Sequence, residues 1–300
     1  MAIQILRAVD RKASNTLKVG LYGQSGVGKT ACGATAYVTD PSKVIVCYTE
    51  GQAAAIVRTH NAQALTVHMR SYEEIQQTFK WLRRCFDSGK MHTLDDEGNL
   101  TESAEPFDYE TVVVDSFSDV FRTVKSEVTR QSHQRALNRH ISRVGSSSGF
   151  DDPEVTSQQD WGVLQDRCAA ILRAFRDLPS NLVCIFQLDE REEDGATAFR
   201  PYVQGRDLKA SMIGFFNAFA YAFRRKNGDG LTREAAFQTS EQYSTKSVNG
   251  LASVEPLDFR VWHQKFQAFI AEHPEGLLSN PVPKKPKKKA RKGEEDTTNV

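Results

Sequence analysis

The chain has 300 residues, 39% hydrophobic and 26% charged, the balance of a soluble globular protein large enough for a sizeable core. No apolar run approaches the 18 residues of a membrane span, and the N-terminus lacks the residue order of a signal peptide, so insertion and secretion are not expected. Net charge is +1, but seven cations (Lys284, Lys285, Lys287, Lys288, Lys289, Arg291 and Lys292) crowd into one short stretch and leave the remainder faintly acidic.

Residues 1–16 read as a polar lead-in, and 17–22 as a short strand. The next eight residues, Gly23-Gln24-Ser25-Gly26-Val27-Gly28-Lys29-Thr30, are an unbroken G-x-x-x-x-G-K-[ST] run. The glycines let backbone N–H groups cradle phosphate oxygens where a Cβ would obstruct them. Lys29 is placed to reach β- and γ-phosphates and Thr30 to ligate Mg²⁺. An Ala-rich helix over 30–37 completes a strand–loop–helix unit suited to a bound nucleoside triphosphate.

A second buried strand covers 44–48 and ends at Thr49-Glu50-Gly51; a third covers 65–69. Residues 72–86 carry Ile75, Phe79, Leu82 and Phe86 in a helical stripe. The polar stretch 87–108 reads as a surface loop or small hairpin. Then come a strand over 111–115 ending in Asp115, a helix from 118 toward 143, and an exposed loop over 145–160. A helix over 161–178 stops at Pro179, and a strand over 182–186 ends at Gln187. Strands that alternate with helices and are each continuously apolar predict an α/β domain with a mostly parallel sheet. Farther on, strands at 218–223 and 234–239 flank Asn227-Gly228-Asp229-Gly230, which favours an antiparallel hairpin. A helix over 257–270 closes the domain, and the composition from 281 onward predicts disorder. The expected organisation is thus a lead-in (1–16), one ATPase domain (17–272) and a Lys-rich tail (273–300).

Several side chains stand where chemistry could use them. Asp115, an acid at the end of a buried strand, can orient Mg²⁺ together with Thr30. Glu50 can accept a proton from a water attacking the γ-phosphate, and Gln187 can hydrogen-bond that phosphate and report its loss. The seven tail cations suit sequence-independent contact with nucleic acid, with a log–log salt slope of up to about −6 on duplex DNA. A nuclear-import address is the competing reading of that run. The five cysteines, each standing singly, predict buried reduced thiols and an intracellular setting, cytoplasmic or, from the tail, nuclear.

The order of the P-loop, Glu50, Asp115-Ser116 and Gln187 resembles the RecA-like ATPase core, and the later chain resembles phage-encoded RecA-like nucleotide-binding proteins implicated in single-strand recombination. The carrying motifs are Leu172-Arg173-Ala174-Phe175-Arg176-Asp177-Leu178-Pro179-Ser180-Asn181, Arg200-Pro201, Lys246-Ser247-Val248-Asn249-Gly250 and Glu255-Pro256. The resemblance implies a RecA-like P-loop fold, ATP and Mg²⁺ as cofactors, and Glu50 as the catalytic carboxylate. It further implies Gln187 as γ-phosphate sensor, Lys246 as a cation acting across a subunit interface, single-stranded DNA as partner, and a homo-oligomeric ring or filament. In that family the loop at 189–209, with Arg191, Arg200, Arg206 and Lys209, contacts DNA. Ser247-Val248 stand where the family carries an acidic–arginine pair. Two other readings stay open: an ATP-dependent binding switch with negligible turnover, and a P-loop kinase for a small molecule.

Overall fold

Lys18–Gly23 (β1) runs into the phosphate loop with every residue buried, and Lys29–Ala34 (α1) leaves it. The computed structural model describes residues 15–94, 99–147, 158–193, 195–203, 206–228 and 230–273. In chain order follow Val44–Tyr48 (β2), Gly51–His60 (α2), Leu65–His68 (β3) and Tyr72–Ser88 (α3). Lys90–Leu94 (β4) pairs with Leu100–Pro106 (β5), and then come Thr111–Asp115 (β6), Phe117–Val144 (α4), Gln158–Arg176 (α5) and Asn181–Phe186 (β7). A second hairpin, Leu188–Glu193 (β8) with Ala196–Pro201 (β9), precedes Arg206–Ser211 (α6). Ala218–Asn227 (β10), Gly230–Ala236 (β11), Val254–Pro256 (β12) and Phe259–Glu272 (α7) complete the order.

Eight of these strands form one sheet in the order β12-β11-β10-β1-β7-β6-β2-β3. From β10 to β3 all neighbours are parallel; β11 and β12 are added antiparallel. The α/β class, the largely parallel sheet and the antiparallel C-terminal hairpin are therefore as expected. Because the central strands are parallel, the carboxyl ends of β1, β7, β6 and β2 lie along one edge, where α/β sheets bind ligands. The tail predicted to be disordered lies outside the described residues.

Both faces of the sheet are covered, which explains the continuous apolar strands. Along β6, Val112 and Val114 enter a core with Phe117, Phe121 and Phe175, whereas Val113 enters the other with Cys32, Phe259 and Trp262. All five cysteines are buried free thiols. Among the described residues no helix is long and apolar enough to cross a membrane.

Several elements differ from expectation or settle between alternatives. Helix α1 ends at Ala34 rather than residue 37, where the Thr35 hydroxyl turns back to donate to the Ala31 carbonyl at 3.0 Å. Helix α2 was not foreseen: Gly51 looks like a stop, yet it opens a helix behind an extended Glu50. The stretch 87–108, expected as a surface loop or small hairpin, takes the second of those forms. Residues 188–201, expected as a loop, form the β8–β9 hairpin.

Tight packing around β1 gives the first prediction. A Cβ added at Gly20 would stand 2.1 Å from Phe219 Cε2, and Phe219 is itself enclosed by Tyr22, Phe186 and Phe216 with ring centroids 5.4–5.6 Å away. Gly20→Ala should therefore destabilise the domain by about 1–3 kcal/mol through overpacking. Thermal unfolding should show a transition lower by several degrees, and an unchanged transition would contradict this packing.

Candidate nucleotide site

The loop between β1 and α1 turns through Gly26 (φ 73°) and Gly28 (φ 108°), left-handed conformations that a side chain would disfavour. Val27 points away from the opening into the core. The Lys29 ammonium folds back over the loop and donates to the carbonyls of Gly23 (2.6 Å) and Gln24 (2.9 Å). Burial lowers its pKa, while the charges of Asp115 and Glu50 oppose that shift.

Asp115 ends β6 beside β7 and is only 6% exposed. Its pKa is raised by burial, against the hydrogen bond of Thr30 and the charge of Lys29. Its Oδ2 is buried and accepts no hydrogen bond from any described residue. A buried carboxylate that meets the Thr30 hydroxyl and the Lys29 charge yet leaves one oxygen unsatisfied marks an incomplete site. The oxygen-rich donor set of Asp115 and Thr30 fits a hard divalent cation such as Mg²⁺. The Asp115–Ser116 peptide is cis.

A second cluster lies beside it. Gln187, just past β7, donates through Nε2 to Glu50 Oε1 (2.8 Å) and to Asp119 Oδ2 (3.2 Å). Asp119, in the first turn of α4, also accepts from Ser116 Oγ at 2.6 Å and from the Arg122 guanidinium. The hydrogen bond between the carboxyls of Glu50 and Asp119, then desolvation, pushes the Glu50 pKa up to about 7. Burial alone would raise Asp119, but hydrogen bonds from Glu50, Ser116 and Arg122 hold it below the usual carboxylate value. Glu50 is thus the acid of the pair that favours its protonated form, and Asp119 the one that favours its charge. Ser118 Oγ receives the Gln187 N–H at 2.9 Å and donates to the Tyr202 carbonyl at 2.8 Å. Tyr202 also stacks under Arg122, 4.7 Å from ring centroid to guanidinium carbon. This chain of contacts ties the site to the end of the β8–β9 hairpin.

The phosphate loop, Glu50, Asp115 and Gln187 line a cleft of about 790 Å³, within the range that holds a nucleotide. Of the residues expected in the site, Gly23, Gln24, Ser25, Gly26, Gly28, Lys29, Thr30, Glu50, Asp115 and Gln187 all border it. Lys246 does not. Its ammonium donates to the Phe216 carbonyl at 2.6 Å, and its backbone pairs with Phe219 near the start of β10, the end of the sheet away from the P-loop. The cations following Gln187 are engaged locally: Arg191 and Lys209 with Asp189, and Arg200 with Glu193. Lys284, Lys285, Lys287, Lys288, Lys289, Arg291 and Lys292 lie outside the described residues. Sequence reasoning missed Asp119 and Arg122; the available signal was Ser116-x-x-Asp119, a capping pattern whose serine does cap α4.

A glycine-turned loop with its lysine, a buried acid beside the loop's threonine, and a carboxylate–amide pair at the next strand ends define a P-loop nucleotide-binding protein. The AAA domain family matches residues 15–248, and the chain belongs to that family, an ATPase class. Among solved structures, it is similar to a KaiC-like protein of the archaeon Pyrococcus horikoshii OT3, with 10% identity and a TM-score of 0.34. That alignment covers 73% of this chain and 77% of the other. No curated protein matches the chain.

Proposed function

We propose that this AAA-family protein is a Mg²⁺-dependent ATPase of RecA-like type, acting on single-stranded DNA in phage-type recombination or replication as a ring or filament. The observation that carries the hydrolytic part is the Glu50–Gln187 pair, at 2.8 Å, on the rim of the cleft that holds Lys29, Thr30 and Asp115. Thr30 and Asp115 are the residues to hold the metal, which supplies charge neutralisation at the phosphate oxygens. Lys29 exchanges the loop carbonyls for phosphate oxygens. Glu50, once ionised, takes the proton of a water whose oxygen bonds to the γ-phosphorus as the β–γ bridge bond breaks, giving ADP and phosphate. Gln187 reports the γ-phosphate through Ser118 to Tyr202 and the β8–β9 hairpin. Lys246 could act only on a neighbouring subunit's site, its own P-loop being at the other end of the sheet.

The DNA part rests on the resemblance and on the tail charge. Phosphate release by the full chain should rise with single-stranded DNA and with protein concentration. Removing residues 281–300 should weaken DNA binding and flatten its salt dependence by up to about six log–log slope units on duplex DNA. Identical release with and without DNA, together with an unchanged salt slope, would remove nucleic acid from this proposal. One observation favours a second reading, an ATP switch with little turnover: Glu50 is engaged by Gln187, and Asp119 raises its pKa to about 7, so less of it is ionised to serve as a base in this state.

A further inference from the structure

The side chains of β10 alternate, and Ala218, Ala220 and Ala222 face the side of the sheet that carries α1. Ala235 of β11 lies on the same face, opposite Ala222. These small residues bring the strand close to the phosphate loop: a Cβ on Gly23 would stand 2.2 Å from the Ala222 carbonyl oxygen. One step farther along each strand the row changes from alanine to arginine. Arg224 and Arg233 are register partners just beyond the level at which β1 ends. Arg224 Nη2 donates to the Gly26 carbonyl, and Arg233 lies 3.3 Å from where a Cβ on Gly28 would be. Arg233 also lines the nucleotide cleft.

Two like charges directly opposite on antiparallel strands repel. A neighbouring cation in this hairpin, Arg225, is neutralised by Glu234 at 3.2 Å. Arg224 and Arg233 make no ion pair among the described residues. Their position offers another way to balance the charge, because guanidinium groups match phosphate oxygens in a two-pronged geometry. Asp115 and Gln187 approach the P-loop from the β7–β6 side, and the arginines from the β10 side.

We propose that Arg224 and Arg233 form a clamp for the nucleotide's polyphosphate, supplied by the same subunit and closing the flank of the P-loop opposite the metal-binding acid. Arg224 exchanges the Gly26 carbonyl for a phosphate oxygen when nucleotide arrives, and Arg233 reaches the chain beside Gly28. The clamp rests on the nucleotide-binding reading and adds to it a dependence on phosphate charge.

Calorimetric titration of the full chain with Mg-ATP and with Mg-tripolyphosphate, which lacks base and ribose, tests it. Arg224→Ala with Arg233→Ala should weaken both ligands by about a hundredfold, each single substitution by about tenfold, and lysine at both positions should restore part of the loss. Both arginines are exposed, and an unchanged unfolding temperature confirms that the variants fold. Undiminished affinity in a folded double variant overturns the clamp while nucleotide binding stands. A loss confined to ATP, with tripolyphosphate unaffected, assigns the arginines to the nucleoside and also overturns it. Absence of heat with the unaltered protein overturns the clamp and the nucleotide reading together.

Discussion

Lys29→Ala is expected to lower kcat/KM for Mg-ATP by about 10²–10³-fold or more. A preorganised cation aimed at developing phosphoryl charge contributes on that scale in a water-poor cleft. Lys29 is half-buried, and its hydrogen bonds go to the Gly23 and Gln24 carbonyls, so its removal leaves loop groups that water can reach. The unfolding temperature should therefore change little while hydrolysis collapses. Phosphate release and nucleotide titration on the same preparation check both halves. Turnover at the unaltered rate would mean that the loop is not where the triphosphate reacts. Lys246→Ala provides the contrast: that ammonium caps Phe216 at the far end of the sheet, so its loss should leave Mg-ATP affinity of a single subunit intact.

The parts of this arrangement that depend on local chain chemistry were legible in the sequence. The P-loop is eight consecutive residues, and Asp115, Glu50 and Gln187 each follow a continuous apolar run buried on both faces. Parallel pairing then brings their strand ends to one edge, as Tyr48 opposite Asp115 and Asp115 opposite Ile185 illustrate. Contacts that arise only on folding were not legible. Asp119 meets Gln187 across 68 positions of sequence, and nothing near either residue announces the other. The β8–β9 hairpin was hidden for another reason. Leu188 to Glu193 is nearly all charged and largely exposed, so no hydrophobic alternation marks it, and charge pairs such as Arg200 with Glu193 hold it instead. The Asn227–Gly230 pairing was readable from its turn residues and fixes Arg224 opposite Arg233 by counting. Their place beside the P-loop depends on β10 adding next to β1, which no local pattern specifies.

Glu50→Gln should lower kcat by about 10²–10⁴-fold, the usual contribution of a positioned general base, while Mg-ATP affinity is retained. Glutamine preserves the shape and can still hydrogen-bond Gln187, but it cannot take a proton from water. The acidity of the site makes the test sharper. Glu50 is held up to about 7 chiefly by its hydrogen bond to Asp119, so the base is mostly protonated below that pH and ionised above it. The rate of the unaltered protein should consequently rise with pH through about 7 and level off beyond, an apparent value belonging to the two-carboxyl pair as a unit. Asp119→Asn removes the neighbouring negative charge and leaves only a neutral amide oxygen in place of the carboxylate that stabilises protonated Glu50. Its rate profile should shift toward acid, in the direction of an ordinary glutamate near 4.3. In Glu50→Gln the inflection should vanish along with most of the rate. If the Glu50→Gln profile kept both its height and its inflection near 7, another group would be accepting the proton. If only Asp119→Asn left the inflection in place, Glu50 would be raised by desolvation alone, and Asp119 would have no part in setting the activity.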